Sequence, residues 1–314
     1  MKKRIGLYLP AKDVSAPNLH STGAVPQQVL SEFYALLDKE GLAYTTNLHP
    51  MNATVRNGKV YCGDVCLSDI DVFFWYYPMI PDREGYEMSI LRTLATTTTV
   101  IPNPEGLYRG LDKLTSHTLL RAAGIPTADF ALFRSDQLSE AKHLLHAWGS
   151  LLLKPSLGNL GRGIVRVESE QQLLDIIQYA SPALEKPTPI FMERFEPNDI
   201  EQWISTTIIG DTLVYGYRKK AEKIVGGWKV YDEQGTGGAT DYIDPAPVAE
   251  MAMRAKNALG ADIIGFDCIY STEKQSYLIV DENTFPGMYE HCFAQAGKGS
   301  WAELFFSFLM IHVR

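Results

Sequence analysis

Two short stretches carry the residue types that phosphate chemistry requires. In LLLKPSLGNLGRGIVRV an apolar run delivers Lys154 and Pro155 ends it. Gly158, Gly161 and Gly163 then precede the next apolar run. Backbone amides without a Cβ can approach anionic oxygens closely, and an ammonium at a strand end adds charge, so the segment reads as a phosphate cradle. An ordinary glycine-rich hairpin beside an unrelated lysine is the alternative, because the spacing is neither a Walker loop nor the GxGxxG of dinucleotide folds. Further on, GFDCIY and LIVDENTFPG are apolar runs that each end in acid, close enough in sequence to be paired strands. Period-two alternation sets Asp281 and Asn283 on one face and Glu282 on the other, with Asp267 on the neighbouring strand. Three hard oxygen donors suit magnesium shared with nucleotide phosphates. A solvated strand end with Asn283 opening a turn is the competing account.

Such groups need a scaffold of strands and helices. The chain has 314 residues, 46% of them apolar, enough for two or three lobes. After the strand RIGLYLP, the segment PQQVLSEFYALLDKEG repeats Val29, Leu30, Phe33, Leu36 and Leu37 at helical spacing, with Pro26 opening and Gly41 closing the helix. Asn57-Gly58 between alternating residues signals a hairpin, and DVFFWYY reads as a buried strand. Residues 1–100 therefore form a small α/β lobe, and the two prolines and glycine of IPNPEGL mark its boundary. Helix LDKLTSHTLLRAAGIP, strand ADFALF, helix DQLSEAKHLLHAWG and the Lys154 strand follow in a second unit, 101–187. A third, 188–314, alternates PIFMERF, QWISTTIIG and DTLVYGYRKK with helix VAEMAMRAKNALG, the two acidic strands and a closing apolar helix. The expected class is α/β, built of lobes rich in antiparallel sheet.

Composition removes several alternatives. A net charge of -8 with no basic run argues against nucleic acid as the main partner. No stretch approaches the ~20 apolar residues that span a bilayer. The opening MKKRIGLYLPAKD reads as a first strand and not as a leader, so a cytoplasmic protein is expected. Cys62, Cys66, Cys268 and Cys292 make no paired framework, and nothing completes a metal site around the first two. His117, His143 and His146 lie on helices without a metal or triad pattern, and Phe73 to Tyr77 read as buried strand. The absence of any Ser-His-Asp or Cys-His arrangement suits chemistry that runs by positioning and charge.

The two clusters and their surroundings together resemble the ATP-grasp superfamily, specifically its branch of ribosomal-protein-S6-modification and glutathione-synthetase-like ligases. IPNPEGLYRGLDKLTSHTLLRAAGIPTADFALF is similar to the family's Asn-Pro, Asp-Lys and Ala-Gly-Ile-Pro sequence, which makes Lys113 the first nucleotide-binding lysine. LLLKPSLGNLGRGI resembles the second lysine strand and its phosphate loop. IFMERFEP resembles the adenine-binding connection, with Glu193 at the matching acid and Phe195 beside it. Asp267, Asp281 and Asn283 fall on the metal-ligand positions. The match runs over about residues 100 to 290. It implies a three-lobed architecture with nucleotide between two sheet lobes behind a small Rossmann-like N-terminal domain. It also implies ATP and Mg2+ as cofactors, with Mn2+ as the alternative ion, and a homo-oligomer as the common assembly.

Departures from the family pattern leave some roles open. Asp281 stands where glutamate is usual, with Glu282 as the substitute. The family arginine falls at Lys219, with Arg218 beside it. The Asp-Ile-Arg segment is replaced by NDIEQWIS, leaving Asp199 and Glu201 for the ribose hydroxyls. The resemblance implies that the GWKVYDEQGTGGAT segment, with Gly235, Gly237 and Gly238, closes over a reacting carboxylate. The implied activity is ATP-dependent joining of a carboxylate to an amine through an acyl phosphate, on amino-acid or peptide substrates. A phosphotransferase and a non-catalytic nucleotide binder are the rivals, and the missing GxGxxG argues against a nicotinamide oxidoreductase.

Overall fold

The computed structural model describes residues 3–11, 25–76, 85–155, 163–180, 187–220, 223–225, 229–231 and 239–314. Its N-terminal part is a parallel sheet in the order Tyr44–Thr45, Ile5–Tyr8, Val72–Trp75, Thr99–Ile101. Such strands are buried on both faces and therefore read as continuous apolar runs: all four residues of Ile5–Tyr8 and of Val72–Trp75 are buried. The expected hairpin forms, Ala53–Arg56 pairing with Lys59–Cys62 around Asn57 and Gly58, both at positive φ. Helix Gln27–Lys39 covers one face of the parallel sheet through Val29, Leu30, Phe33 and Leu37.

The last helix, Trp301–Val313, begins at a Ser300–Glu303 capping box and packs into the same core. Phe305 and Phe308 lie edge-on to Phe74 at 5.2 and 6.2 Å, and Lys3 Nζ donates to the carbonyl of His312 at 2.7 Å.

The middle sheet is antiparallel, in the order Val165–Val167, Leu151–Lys154, Pro189–Arg194, Phe130–Arg134. One face is sealed by helices Leu138–Trp148 and Glu170–Ala180 over Leu151, Leu153, Val167 and Met192, leaving Leu152, Lys154 and Glu193 on the other by alternation. Pro189–Arg194 lies at the centre of this sheet, although the division at 187/188 groups it with the last unit. Residues 181–186 of the proline-rich break lie outside the described residues, but the helix before it, Glu170–Ala180, packs on the same sheet. IPNPEGL also differs from its reading as a plain boundary. Pro104–Leu111 is a helix, because Pro104 occupies its first turn, where no amide donor is needed, and the Asn103 carboxamide oxygen accepts the Glu105 N–H at 2.9 Å.

The third sheet is antiparallel, in the order Ala239–Ile243, Thr212–Lys220, Asn198–Ile209, Ile263–Ser271, Ser276–Asn283. Helix Ala249–Leu259 covers its back through Ala252, Ala255 and Leu259. Helix Lys113–Ala122, capped by Asp112, lies against both Ser276–Asn283 and Ala249–Leu259.

Candidate active site

The two acidic strands pair as alternation requires, with Asp267 directly opposite Asp281 and Gly265 opposite Asn283. Asp267 Oδ1 accepts from Ser205 Oγ at 2.7 Å and from the Asn283 amide at 3.0 Å, and its Oδ2 accepts from Lys219 Nζ at 2.9 Å. Gly265 makes this junction sterically accessible, since a Cβ there would stand 2.1 Å from the Thr206 carbonyl oxygen and 2.9 Å from Pro286 Cβ.

Lys113 opens its helix and donates from Nζ to Asp281 Oδ1. Burial alone would lower the Lys113 ammonium, but Asp281, then Glu282 and Glu193, outweigh it and raise it. Burial likewise pushes Asp281 up, and Lys113, Lys154 and Lys219 bring it below the ordinary aspartate value. Lys219 is raised, Asp267 prevailing over burial. Lys154, 6% exposed, comes from the middle sheet, donates to the Val280 carbonyl at 2.8 Å and pairs with Glu193 Oε1 at 2.8 Å. Glu193 is driven up by burial and down by Lys154 and His117, with a net lowering. The carboxylates of Asp267, Asp281, Glu193 and Glu282 are thus met by Lys113, Lys154, Lys219 and His117, cation for anion.

Two open choices have structural answers in position. Asp281 lies beside Asp267, whereas the Glu282 side chain is 1% exposed and turned to His117 on the opposite face. Lys219 reaches Asp267, whereas Arg218 turns the other way and pairs with Glu201 Oε2 at 2.8 Å. Asp199 accepts from the Glu201 amide at 3.0 Å and from Gln202 at 2.9 Å. Arg218, Glu201 and Asp199 therefore have local partners and not Asp267 or Asp281.

Phe195 lies beneath the Arg166 guanidinium at 3.9 Å, its amide donating to Ser150 O at 3.1 Å. Gly163 has φ +73, and its Cβ position lies 3.3 Å from Pro155. Gly158 and Gly161, together with Gly235, Gly237 and Gly238, lie outside the described residues.

Three features escaped the sequence reading. Ser205 is one of the hydroxyl residues in an otherwise apolar strand end, and only the cross-strand register sets it against Asp267. The segment after Asn283 is held by Thr207 Oγ1 and Tyr215 Oη donating to Gly287 O at 3.0 and 2.7 Å, while Tyr215 Oη accepts the Tyr289 amide at 2.9 Å. His117 lies four residues after Lys113, one turn along the same helix face, and that spacing was its sequence signal.

Among the described residues no three Asp, Glu, His or Cys side chains converge as a metal cage. What converges is two carboxylates and a carboxamide on adjoining strands, hard oxygen donors that fit magnesium or manganese better than zinc or copper. Among the described residues no helix is long and apolar enough to cross a membrane.

Comparison with known proteins gives the same arrangement a lineage. A probable alpha-L-glutamate ligase of Xanthomonas oryzae pv. oryzae is 27% identical over 214 residues, covering 65% of this chain and 66% of that protein. The tetrahydromethanopterin:alpha-L-glutamate ligase of Methanocaldococcus jannaschii is 26% identical over 204 residues, 62% and 66% of the two chains. The chain thus spans 66% of the length of these relatives. Among solved structures, the VanG D-Ala:D-Ser ligase of Enterococcus faecalis shares the fold with a TM-score of 0.70 at 15% identity over the whole of both chains. The RimK-like ATP-grasp domain matches residues 110–294, which is more than half of the chain and includes the lysines, acids and asparagine described above, and the protein therefore belongs to the RimK-like ATP-grasp family.

Proposed function

We propose that the protein is an ATP-dependent carboxylate–amine ligase, and that ATP lies between the Lys154–Glu193 face of the middle sheet and the Asp267–Asp281–Asn283 edge of the third. The observation that carries this reading is the convergence of three lysines from three different elements on one cluster of carboxylates: Lys113 on Asp281, Lys219 on the facing Asp267, and Lys154 on Glu193 and on the Val280 carbonyl beside Asp281. A carboxylate is a poor electrophile, because its charge repels nucleophiles and it has no leaving group. Attack of its oxygen on the γ-phosphorus, with cleavage of the bond to ADP, supplies the leaving group. The amine nitrogen then bonds to the carbonyl carbon, phosphate departs, and the nitrogen gives up its proton.

Lys113 and Lys154 offset phosphate charge, while Lys219 lies on the face where charge accumulates as the phosphoryl group moves. Asp267, Asp281 and Asn283 would hold Mg2+, or Mn2+ in its place, and the ion would supply further charge neutralisation to the phosphates. Asp199 and Glu201 remain candidates for the ribose hydroxyls, Arg218 the alternative to Lys219 at the acyl phosphate, and Phe195 a candidate for contact with the base. Glutamate in the names of two relatives and D-alanine and D-serine in a third favour an amino acid as one substrate. We assign residues 1–100 to a pre-ATP-grasp domain and the rest to two lobes, and the need for ATP favours a cytoplasmic location. All the named groups come from one chain, so the chemistry asks nothing of an oligomer.

The test is ADP release with magnesium and ATP against pooled amino acids and short peptides, with mass spectrometry of each stimulating pool. An amide product with stoichiometric ADP, and a hydroxamate when hydroxylamine replaces the amine, is expected. Formation of a stable phosphorylated product that hydroxylamine does not intercept would replace the ligase by a phosphotransferase.

A further inference from the structure

His117 is unlike the other helix histidines. His146 has a side chain 70% exposed, whereas the His117 ring is fully buried. It stands edge-on to Phe130 and Phe191 at 5.4 and 5.5 Å, and those two rings stack on each other at 5.9 Å. This aromatic wall fixes the plane of the imidazole and keeps water from it.

Its nitrogens face only acceptors. Nε2 lies 3.1 Å from Glu193 Oε2. Nδ1 lies 3.4 Å from Glu282 Oε1 and 3.4 Å from Ser116 Oγ, and Ser116 sends its own proton to the Lys113 carbonyl at 3.2 Å. An imidazole flanked in this way by two carboxylates and a committed hydroxyl carries a proton on both nitrogens. Burial opposes that charge, but Glu282 and Glu193 together raise the group to about 9.

The consequences reach two strands. Glu193 divides its oxygens, Oε2 to His117 and Oε1 to Lys154 Nζ, so the ring decides how the carboxylate that holds Lys154 is turned. Buried Glu282, whose side-chain oxygens have no closer polar partner among the described residues, forms its ion pair with His117 from the strand that carries Asp281 and Asn283.

We propose that His117 is a positioning residue of the nucleotide site: one ring, held by Glu193 and Glu282, orients Lys154 toward the phosphates and ties Pro189–Arg194 to Ser276–Asn283. The inference rests on the nucleotide reading of this site.

The experiment compares two probes, the non-hydrolysable analogue AMPPNP with Mg2+ by calorimetry and phosphate-free adenosine by NMR line broadening, on the wild-type chain and on His117→Gln. Loss of one charge-assisted bond behind Lys154 should weaken AMPPNP about tenfold and leave adenosine unchanged. Equal affinities for AMPPNP in wild type and a folded variant would overturn the proposal. So would an equal loss for both probes, which is what a merely structural role produces. If His117→Gln fails to fold, the double variant His117→Leu/Glu282→Leu removes the buried anion with its cation and is read by the same two arms. A wild-type chain that binds neither probe refutes the nucleotide reading itself, an outcome distinct from all of these.

Discussion

Replacement of His117 by glutamine should change how stability depends on pH, and the size of the change can be worked out. The folded value of about 9 lies above the ordinary 6.5, so the protonated ring favours the folded state. Its contribution is complete below pH 6.5 and is lost as pH rises through 9. At roughly 1.4 kcal/mol per tenfold change in proton affinity, that contribution is about 3 kcal/mol. Most other shifted groups act outside this window, and the thiols of Cys62, Cys268 and Cys292, raised by burial above the ordinary 9.0, enter only at its upper edge and are common to both proteins. His49 is lowered by burial and acts below 6.5, Glu193 and Asp281 are held low and act in acid, and raised Lys113 and Lys219 act in alkali. Urea unfolding of wild type and His117→Gln at steps from about pH 6 to 9.5, taken as a difference at each pH, isolates the ring. The difference should shrink by about 3 kcal/mol across the series. A constant difference would mean that His117 is neutral in the folded protein, and the argument from two facing carboxylates would fail.

Three further outcomes follow from the site. Asp267→Asn retains the Ser205 and Asn283 contacts but removes the charge that holds Lys219. It should cost at least about a hundredfold in ADP-release rate while the circular dichroism spectrum is retained, and full turnover would reject Asp267 as a metal ligand. Lys219→Ala should lose on the order of a hundredfold in turnover. Arg218→Ala, which removes contacts to the Glu201 carboxylate and carbonyl, should change stability by less than about 1 kcal/mol and lose less turnover than Lys219→Ala, and the reverse ranking in steady-state assays would exchange their roles. Gly265→Ala forces a Cβ against backbone of the adjoining strand and should destabilise by about 1–3 kcal/mol in thermal or urea unfolding; an unchanged midpoint would show that Asn198–Ile209 can shift aside.

The strands and their acids were legible because their information is local. Alternation within LIVDEN separates Asp281 from Glu282, and an apolar run ending in acid implies a buried strand emerging at an edge. Alternation also says that Arg218 and Lys219 face opposite ways. It does not say which faces Asp267, because that depends on register against Asn198–Ile209, where the pairing with Ile263–Ser271 shifts between Asp199 and Ile204. Pro189–Arg194 reads as the start of a new lobe for the same reason: its partners, Leu151–Lys154 and Phe130–Arg134, lie far upstream. His117 reads from the sequence as a helix histidine without a metal or triad pattern. Its meaning comes from two carboxylates on separate distant strands, and no spacing on its own helix encodes them beyond its place one turn after Lys113.

The packing of Trp301–Val313 against Phe74 and helix Gln27–Lys39 sets an order of events during synthesis. The first parallel strands are complete once Trp75 has left the ribosome, yet the apolar face that receives Phe305 and Phe308 cannot be covered until the last helix is made. At about 5–20 residues per second, that interval is roughly ten to forty-five seconds. The nascent chain therefore carries an uncovered apolar face while both later sheets are made, and the thirteen-residue helix Trp301–Val313 closes that core after them.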